Sequence, residues 1–301
     1  MSTNLPTTQA GIMQTIPAHA NFLIFNLKTD GKSQVDYVAA LQKLAPLVDG
    51  DKVVLGIGLS LVTALKKQVS DLRDFPVFPD AKVALPVNKA AVWCWLRESE
   101  RGALVKQSQR VVAALSGAFE LVSCVDAFKF GAVQDLTGYE DGTENPQAQA
   151  AIDAAIVQQR GAGQDGASFV AVQQWLHHWN KFDAMSTDEQ DNIIGRRISD
   201  NEELDDAPES AHVKRTAQES FDPEAFVLRR SMPWSLGTQS GFYFVAFGRT
   251  LDAFEAQLKR MSGAEDGIVD GLFRFSQPQT GGYFWCPPML AGKVDLSLVL
   301  D

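Results

Sequence analysis

The sequence predicts an α+β fold of two ferredoxin-like halves with antiparallel sheets, of the dimeric α+β barrel type. Two observations lead there. Apolar runs and amphipathic stretches follow one another as strand, helix, strand, strand, helix, strand up to residue 128. A similar order returns from residue 168, with longer insertions and no residue-level repeat. The expected domains are residues 1–130 and 131–301.

Each element has a local reason. Residues 1–18 read as a loose arm. His19 to Leu27, HANFLIFNL, is rich in Phe, Leu and Ile and predicts a buried strand. Ser33 and Asp36 have the spacing of a capping box, and Val35, Val38, Leu41 and Leu44 recur at helical spacing behind them. KVVLGI (52–57) predicts a second strand. Gly56-Ile-Gly58 lacks the third glycine of a dinucleotide turn and reads as a strand-to-helix turn. Residues 74–86 contain prolines and form a long connection. AAVWCWLRES (90–99) predicts a strand, with Ser99 capping a helix that buries Leu104, Val111, Val112 and Leu115 and ends at Gly117. Residues 118–128 predict the next strand.

In the second half, residues 168–179 predict a strand, and Ser186 to Gly195 a short helix. Strands follow at 226–231 and 241–250. Thr250 then caps a helix with Leu251, Phe254, Leu258 and Met261 on one side, and Glu255 with Lys259 forms a favourable pair on the other. A last strand is expected at 281–285. The Ala-, Gln- and Gly-rich stretch 145–166 and the acidic stretch 199–210 read as insertions; the latter lacks the ligand order of a calcium loop.

Composition narrows the function. The chain has 301 residues, 45% hydrophobic and 21% charged, which suits a soluble protein with a sizeable core. A net charge of −10 argues against a nucleic-acid partner and against anionic membranes. Cys94, Cys124 and Cys286 are far apart and form no Cys-x-x-Cys, which points to reduced thiols and excludes iron–sulfur and zinc spacings. No signal segment or membrane-length apolar run is present, so a cytoplasmic location is expected.

The densest polar motif is Gly138-Tyr-Glu-Asp141-Gly142-Thr-Glu-Asn-Pro146. Glycine allows backbone angles closed to other residues, and Pro146 stops regular structure and biases Asn145 toward an extended conformation. Asp141 is thus presented from a rigid loop. Turn chemistry alone would leave it a solvated aspartate.

The nine-residue string resembles the signature of the dye-decolourising peroxidases, haem enzymes, in their shorter bacterial, non-secreted form. The resemblance runs from the first strand to Trp285. It implies one haem b per chain in the C-terminal domain, hydrogen peroxide as oxidant, a dye or other aromatic reductant, a ferryl intermediate and a homo-oligomer. It also implies roles for residues. His212, in Glu209-Ser-Ala-His212-Val-Lys-Arg215, matches the proximal iron ligand; His19, His177 and His178 read as packed or edge histidines. Leu228-Arg229-Arg230-Ser231-Met232-Pro233 matches the distal arginine segment, with Ser231 where many relatives carry Asn. Strand alternation puts Arg229 and Ser231 on one face and Arg230 on the other.

In the implied mechanism Asp141 shuttles a proton between the peroxide oxygens, Arg229 stabilises developing negative charge, and Ser231 holds a bridging water. Carboxylates ordinarily titrate near pH ~4, so a carboxylate shuttle predicts an acidic activity optimum. Asp270 is the expected acceptor for the second ring nitrogen of His212, with Asp266 as alternative. Glu144 and Asn145 are expected at the haem edge, and Arg196 at a propionate. Trp234 and Tyr139 are candidates for carrying electrons to bulky dyes. Two other readings use the same scaffold: a non-enzymatic haem carrier, which needs His212 but not Asp141 with Arg229, and a haem-free ferredoxin-like interaction module.

Overall fold

The computed structural model describes residues 7–301. The arm is not wholly loose: it holds a one-turn helix α1 (Ala10–Met13). Gln9, fully buried beside it, donates to Leu55 and Pro287 carbonyls and accepts the Leu55 N–H. Then come β1 (His19–Leu27), α2 (Gln34–Leu44), β2 (Val53–Ile57), α3 (Leu59–Ala64), β3 (Val92–Glu98), α4 (Arg101–Leu115) and β4 (Phe119–Phe128). The Ser33–Asp36 capping box opens α2 as expected. At α4 the cap is Glu100 rather than Ser99, because its carboxylate reaches the Gly102 and Ala103 N–H groups.

The second half supplies α5 (Ala148–Ala155), β5 (Ser168–His177), α6 (Trp179–Phe182), α7 (Thr187–Ile194), α8 (His212–Arg215), β6 (Leu228–Arg229), β7 (Met232–Leu236), β8 (Gln239–Gly248), α9 (Asp252–Met261), β9 (Ser276–Pro278) and β10 (Gly282–Cys286). Three differences from the sequence reading matter. The stretch 145–166 contains the helix α5, whose Ala151 and Ala155 are buried. The strand expected at 226–231 is only two residues long, and β7 follows after a break at Arg230 and Ser231. A short helix begins at His212, where the sequence reading has no element.

All strand pairings are antiparallel. The first half orders its strands β4-β1-β3-β2, and the second places β5 between β10 and β8, with β7 and β6 on the far side of β8. Single register pairs join the halves at Trp285–Ile57 and Ala127–Trp234, so the pairing returns on itself. Alternation along each strand then separates two cores. Phe22, Val54, Trp93, Trp95, Val172, Tyr243, Val245 and Phe284 belong to one cluster. Their strand neighbours Leu23, Leu55, Cys94, Leu96 and Ala171 pack in the other, with α2 and α4. Burial on both faces explains why these strands read as continuous apolar runs.

The first cluster is filled by rings. Phe22 stacks on Tyr243 at 3.9 Å and 6°, and lies within 6.3 Å of Trp93. Gly58 makes the turn into α3, and a Cβ there would sit 2.0 Å from the Ala90 carbonyl oxygen. Close packing thus explains this glycine. Gly58→Ala is expected to lower stability by about 1–3 kcal/mol or more. A urea unfolding midpoint that does not move would contradict this assignment.

Candidate active site

The outer face of β5 and β8 carries Gln173, Trp175, His177, Phe242 and Phe244, and α9 lies over it with Phe254, Gln257, Leu258 and Met261. Between them is a cavity with about 900 Å³ of atom-free space, mouth included. His212, Asp141 and Arg229 all line it. Residues up to 88 positions apart in the chain are thus gathered at one wall by the way α8, β6 and the 138–146 loop converge.

His212 is the first residue of α8. Its Nδ1 lies 2.8 Å from Asp270 Oδ2, and Asp270 is almost wholly buried. The other Asp270 oxygen accepts the Leu272 N–H at 2.8 Å, so the carboxylate is held by its own turn. A carboxylate at Nδ1 selects the tautomer with the proton there and leaves the Nε2 lone pair available. Among the described residues Nε2 has no hydrogen-bond partner. Asp266 is engaged elsewhere, by both terminal nitrogens of Arg215 at 2.8 Å.

Asp141 and Arg229 approach to 3.7 Å between Oδ1 and Nη1. That is too long for a hydrogen bond, and it leaves the carboxylate uncommitted beside a fixed positive charge. Both residues also line a second, larger cavity with about 2320 Å³ of atom-free space, mouth included. They therefore form a shared wall between the two spaces. Gly142 turns the loop at φ +77°, and a Cβ there would come within 2.6 Å of the Asn145 amide nitrogen.

Of the remaining expected site residues, Ser231, Asn145, Arg196 and Glu144 lie outside the His212 cavity. Ser231 lines the larger cavity, and its hydroxyl accepts the Val245 N–H at 3.2 Å. Asn145 also lines the larger cavity, and its amide brackets the Arg229 backbone. Arg196 donates to Glu144, to Glu203 and to the Asn201 carbonyl. The Glu144 carboxylate is largely exposed. Each of these groups has a protein partner, and together they brace the loop and the neighbouring strand. Arg230 also lines the larger cavity, while its guanidinium donates to the Ile12 and Met13 carbonyls. Trp234 is buried and donates to the Trp175 carbonyl, and Tyr139 lines the cavity with its hydroxyl on Asp191.

Two features add to the sequence reading, which has His177 only as a packed or edge residue. His177 is engaged at both nitrogens, by Ser276 at 2.8 Å and Asp135 at 3.1 Å, and Thr137 donates to the same Asp135 carboxyl. Both ring nitrogens are thus committed to protein partners, which leaves neither free to bind a metal. Gln173, 2% exposed, has an amide nitrogen with no protein partner. No spacing in the sequence marks either one. An apolar cavity with a free imidazole nitrogen and one orphaned donor suits a flat apolar group carrying a metal and a few polar substituents.

A profile of the family described as Dyp-type peroxidase, C-terminal, matches residues 132–291. The chain belongs to the Dyp-type peroxidase family. A dye-decolorizing peroxidase of Mycobacterium tuberculosis H37Rv is 29% identical, over 92% of this chain and 87% of that protein. The solved structure of DyPB from Rhodococcus jostii RHA1 superposes with a TM-score of 0.79 at 26% identity, covering 93% of this chain and 96% of that one. A variant of the same protein, solved in complex with heme, gives 0.78 at 26% identity, covering 92% and 94%. As a member of this family the chain is a peroxidase with the antiparallel α+β fold expected from its element order.

The Asp135–His177 pair gives a pH signature. Burial pushes the Asp135 carboxyl up, but the His177 and Thr137 contacts outweigh it and hold the group below the usual carboxylate range. A carboxyl depressed on folding stabilises the fold above its unfolded pKa of about 3.9, and that contribution is lost as pH falls through the folded value. Thermal melts of Asp135→Asn should therefore show a lower Tm than the parent at neutral pH. The gap should close in acid; one that stays constant down to acid unfolding would count against the pair.

Proposed function

We propose that each chain binds one haem b in the His212 cavity and reduces hydrogen peroxide at the expense of a dye or other aromatic reductant. The observation that carries this reading is the unpartnered Nε2 of a carboxylate-held imidazole in the same cavity wall as Asp141 and Arg229. The heme complex of the Rhodococcus jostii variant supports the choice of cofactor. Residues 131–301 supply His212, Asp141 and Arg229, so the C-terminal half is proposed as the haem domain.

Haem, when bound, supplies the redox centre that passes electrons from the reductant to peroxide. His212 Nε2 would hold its iron, and Asp270 would fix the ring and strengthen its donor character. Asp141 would accept the proton from one peroxide oxygen and return it to the other, so that the O–O bond breaks with water leaving. Arg229 would stabilise the negative charge that builds as that bond breaks. The gap of 3.7 Å between the two matters here, since a carboxylate locked in a bidentate arginine pair would be a poor proton acceptor. Peroxide would reach them from the larger cavity, whose wall they share. Ser231, on that side, would hold a water in the approach rather than touch the haem. Each turnover consumes one peroxide, two protons and two electrons and yields two waters.

The protein is also proposed to be cytoplasmic and homo-oligomeric. Its three cysteines are all free, as a reducing compartment requires. Among the described residues no helix is long and apolar enough to cross a membrane. Leu121 and Val122 on β4 are exposed, and β4 meets β7 only at Ala127–Trp234, which leaves an apolar edge for a second copy.

His212→Ala is expected to lose tight haem retention, read as the Soret-to-protein absorbance ratio after gel filtration. Normal retention would remove His212 as the ligand. Asp141→Ala combined with Arg229→Leu should slow the peroxide reaction by roughly a hundredfold or more in stopped flow, while haem remains bound. An unaffected rate would remove both from the mechanism.

A further inference from the structure

The Asp141 loop and the Arg229 strand do not pair through their backbones; two side-chain amides join them. Asn145 Oδ1 accepts the Arg229 N–H at 2.7 Å, and its Nδ2 donates to the Arg229 carbonyl at 3.2 Å. One amide thus makes both bonds that a neighbouring strand residue would make. Gln218 repeats the device at Val227, two residues before Arg229 and just ahead of β6. Its Oε1 accepts the Val227 N–H at 2.9 Å, and its Nε2 donates to the Glu144 carbonyl at 2.9 Å. Each amide has one acceptor facing an N–H and one donor facing a carbonyl, so neither can flip without setting like groups together.

Gln218 is 6% exposed, and nothing in its sequence surroundings marks it. It is itself braced: the Ala225 N–H donates to its backbone carbonyl, and Gln257 of α9, a cavity residue, donates to the Ala225 carbonyl at 2.6 Å. A chain of amides therefore runs from the wall of the His212 cavity to the loop that carries Asp141.

We propose that Gln218 and Asn145 are positioning residues for the peroxide step: together they clamp the 142–146 loop to the 227–229 segment and so set the separation of Asp141 and Arg229. This rests on the assignment of that pair to peroxide cleavage. Neither amide touches the reacting atoms. Their effect is geometric, and proton transfer is steeply sensitive to such geometry, since a displacement of about 1 Å can cost a hundredfold in rate.

The test uses Gln218→Met, which keeps the length and removes both hydrogen bonds, in the full haem-loaded chain. Its second-order rate with peroxide should fall roughly ten- to a hundredfold. The same substitution in the Asp141→Ala background should cause no further loss, since a residue acting only through the pair has nothing left to position. Gln218→Glu keeps the acceptor for Val227 and loses only the donor to Glu144, so it serves if the Met variant does not fold. A haem-free crystal structure of the variant should show Asp141 and Arg229 moved from their 3.7 Å approach. An unchanged separation, an unchanged rate or a fully additive loss in the Asp141→Ala background overturns the proposal. If Asp141→Ala with Arg229→Leu leaves the peroxide rate intact, it is the assignment of the pair that has failed.

Discussion

The hydrogen bond between His212 and the buried Asp270 decides what the cavity can hold. A carboxylate sealed from water must be paired, and here its two partners are the imidazole and the Leu272 N–H. The bond selects the ring tautomer, aims the lone pair of the other nitrogen away from Asp270, and makes that nitrogen a better donor to a metal. It also ties two distant segments together. The Gly271 N–H donates to the Ser210 carbonyl, and Gly271 packs so closely on Ile193 that a Cβ would come within 3.0 Å of its carbonyl oxygen. The helix start that carries His212 is therefore anchored from the Asp270 turn and from α7 together.

The closed pairing of the strands determines where such a site can be built. Aromatic rings fill the space enclosed by one face of the strands, so a large ligand has no room there. The other face of β5 and β8 is covered only by α9 and the loops around α8. Loops can be shaped freely over a rigid sheet, which is why the functional side chains come from loops and element ends while the sheet supplies the floor.

The Asp141–Arg229 approach depends on a compromise. A closer pair would form a hydrogen-bonded ion pair and occupy the carboxylate; a looser one would lose the electrostatic help. Holding charges at a set distance needs groups that are not themselves charged, and the amides of Asn145 and Gln218 fill that role. The arginine beside Arg229 has the opposite task. Burial, with Arg97 nearby, lowers the pKa of Arg230 to about 10, and its donors go to backbone carbonyls of the arm. Two adjacent arginines thus differ in role because the chain twists between β6 and β7.

By itself the sequence determined the order and type of the main strands and helices, since apolar runs and periodic faces are local consequences of burial. It also marked Asp141, His212, Arg229 and Asp270, through a glycine-bracketed loop and the resemblance that loop carries. It did not show the partners that depend on distance. Glu144, Asn145, Arg196 and Ser231 stand beside the motif residues in the chain, yet their polar groups meet protein partners instead of the His212 cavity. Gln218, Gln173 and the Asp135–His177 pair left no local trace, because the role of a buried polar side chain is set by the segments that fold around it, such as Glu144 against Gln218 and Asp135 against His177. Hydrophobic periodicity is written along the chain, but hydrogen-bond partnership between buried groups exists only once the segments have met.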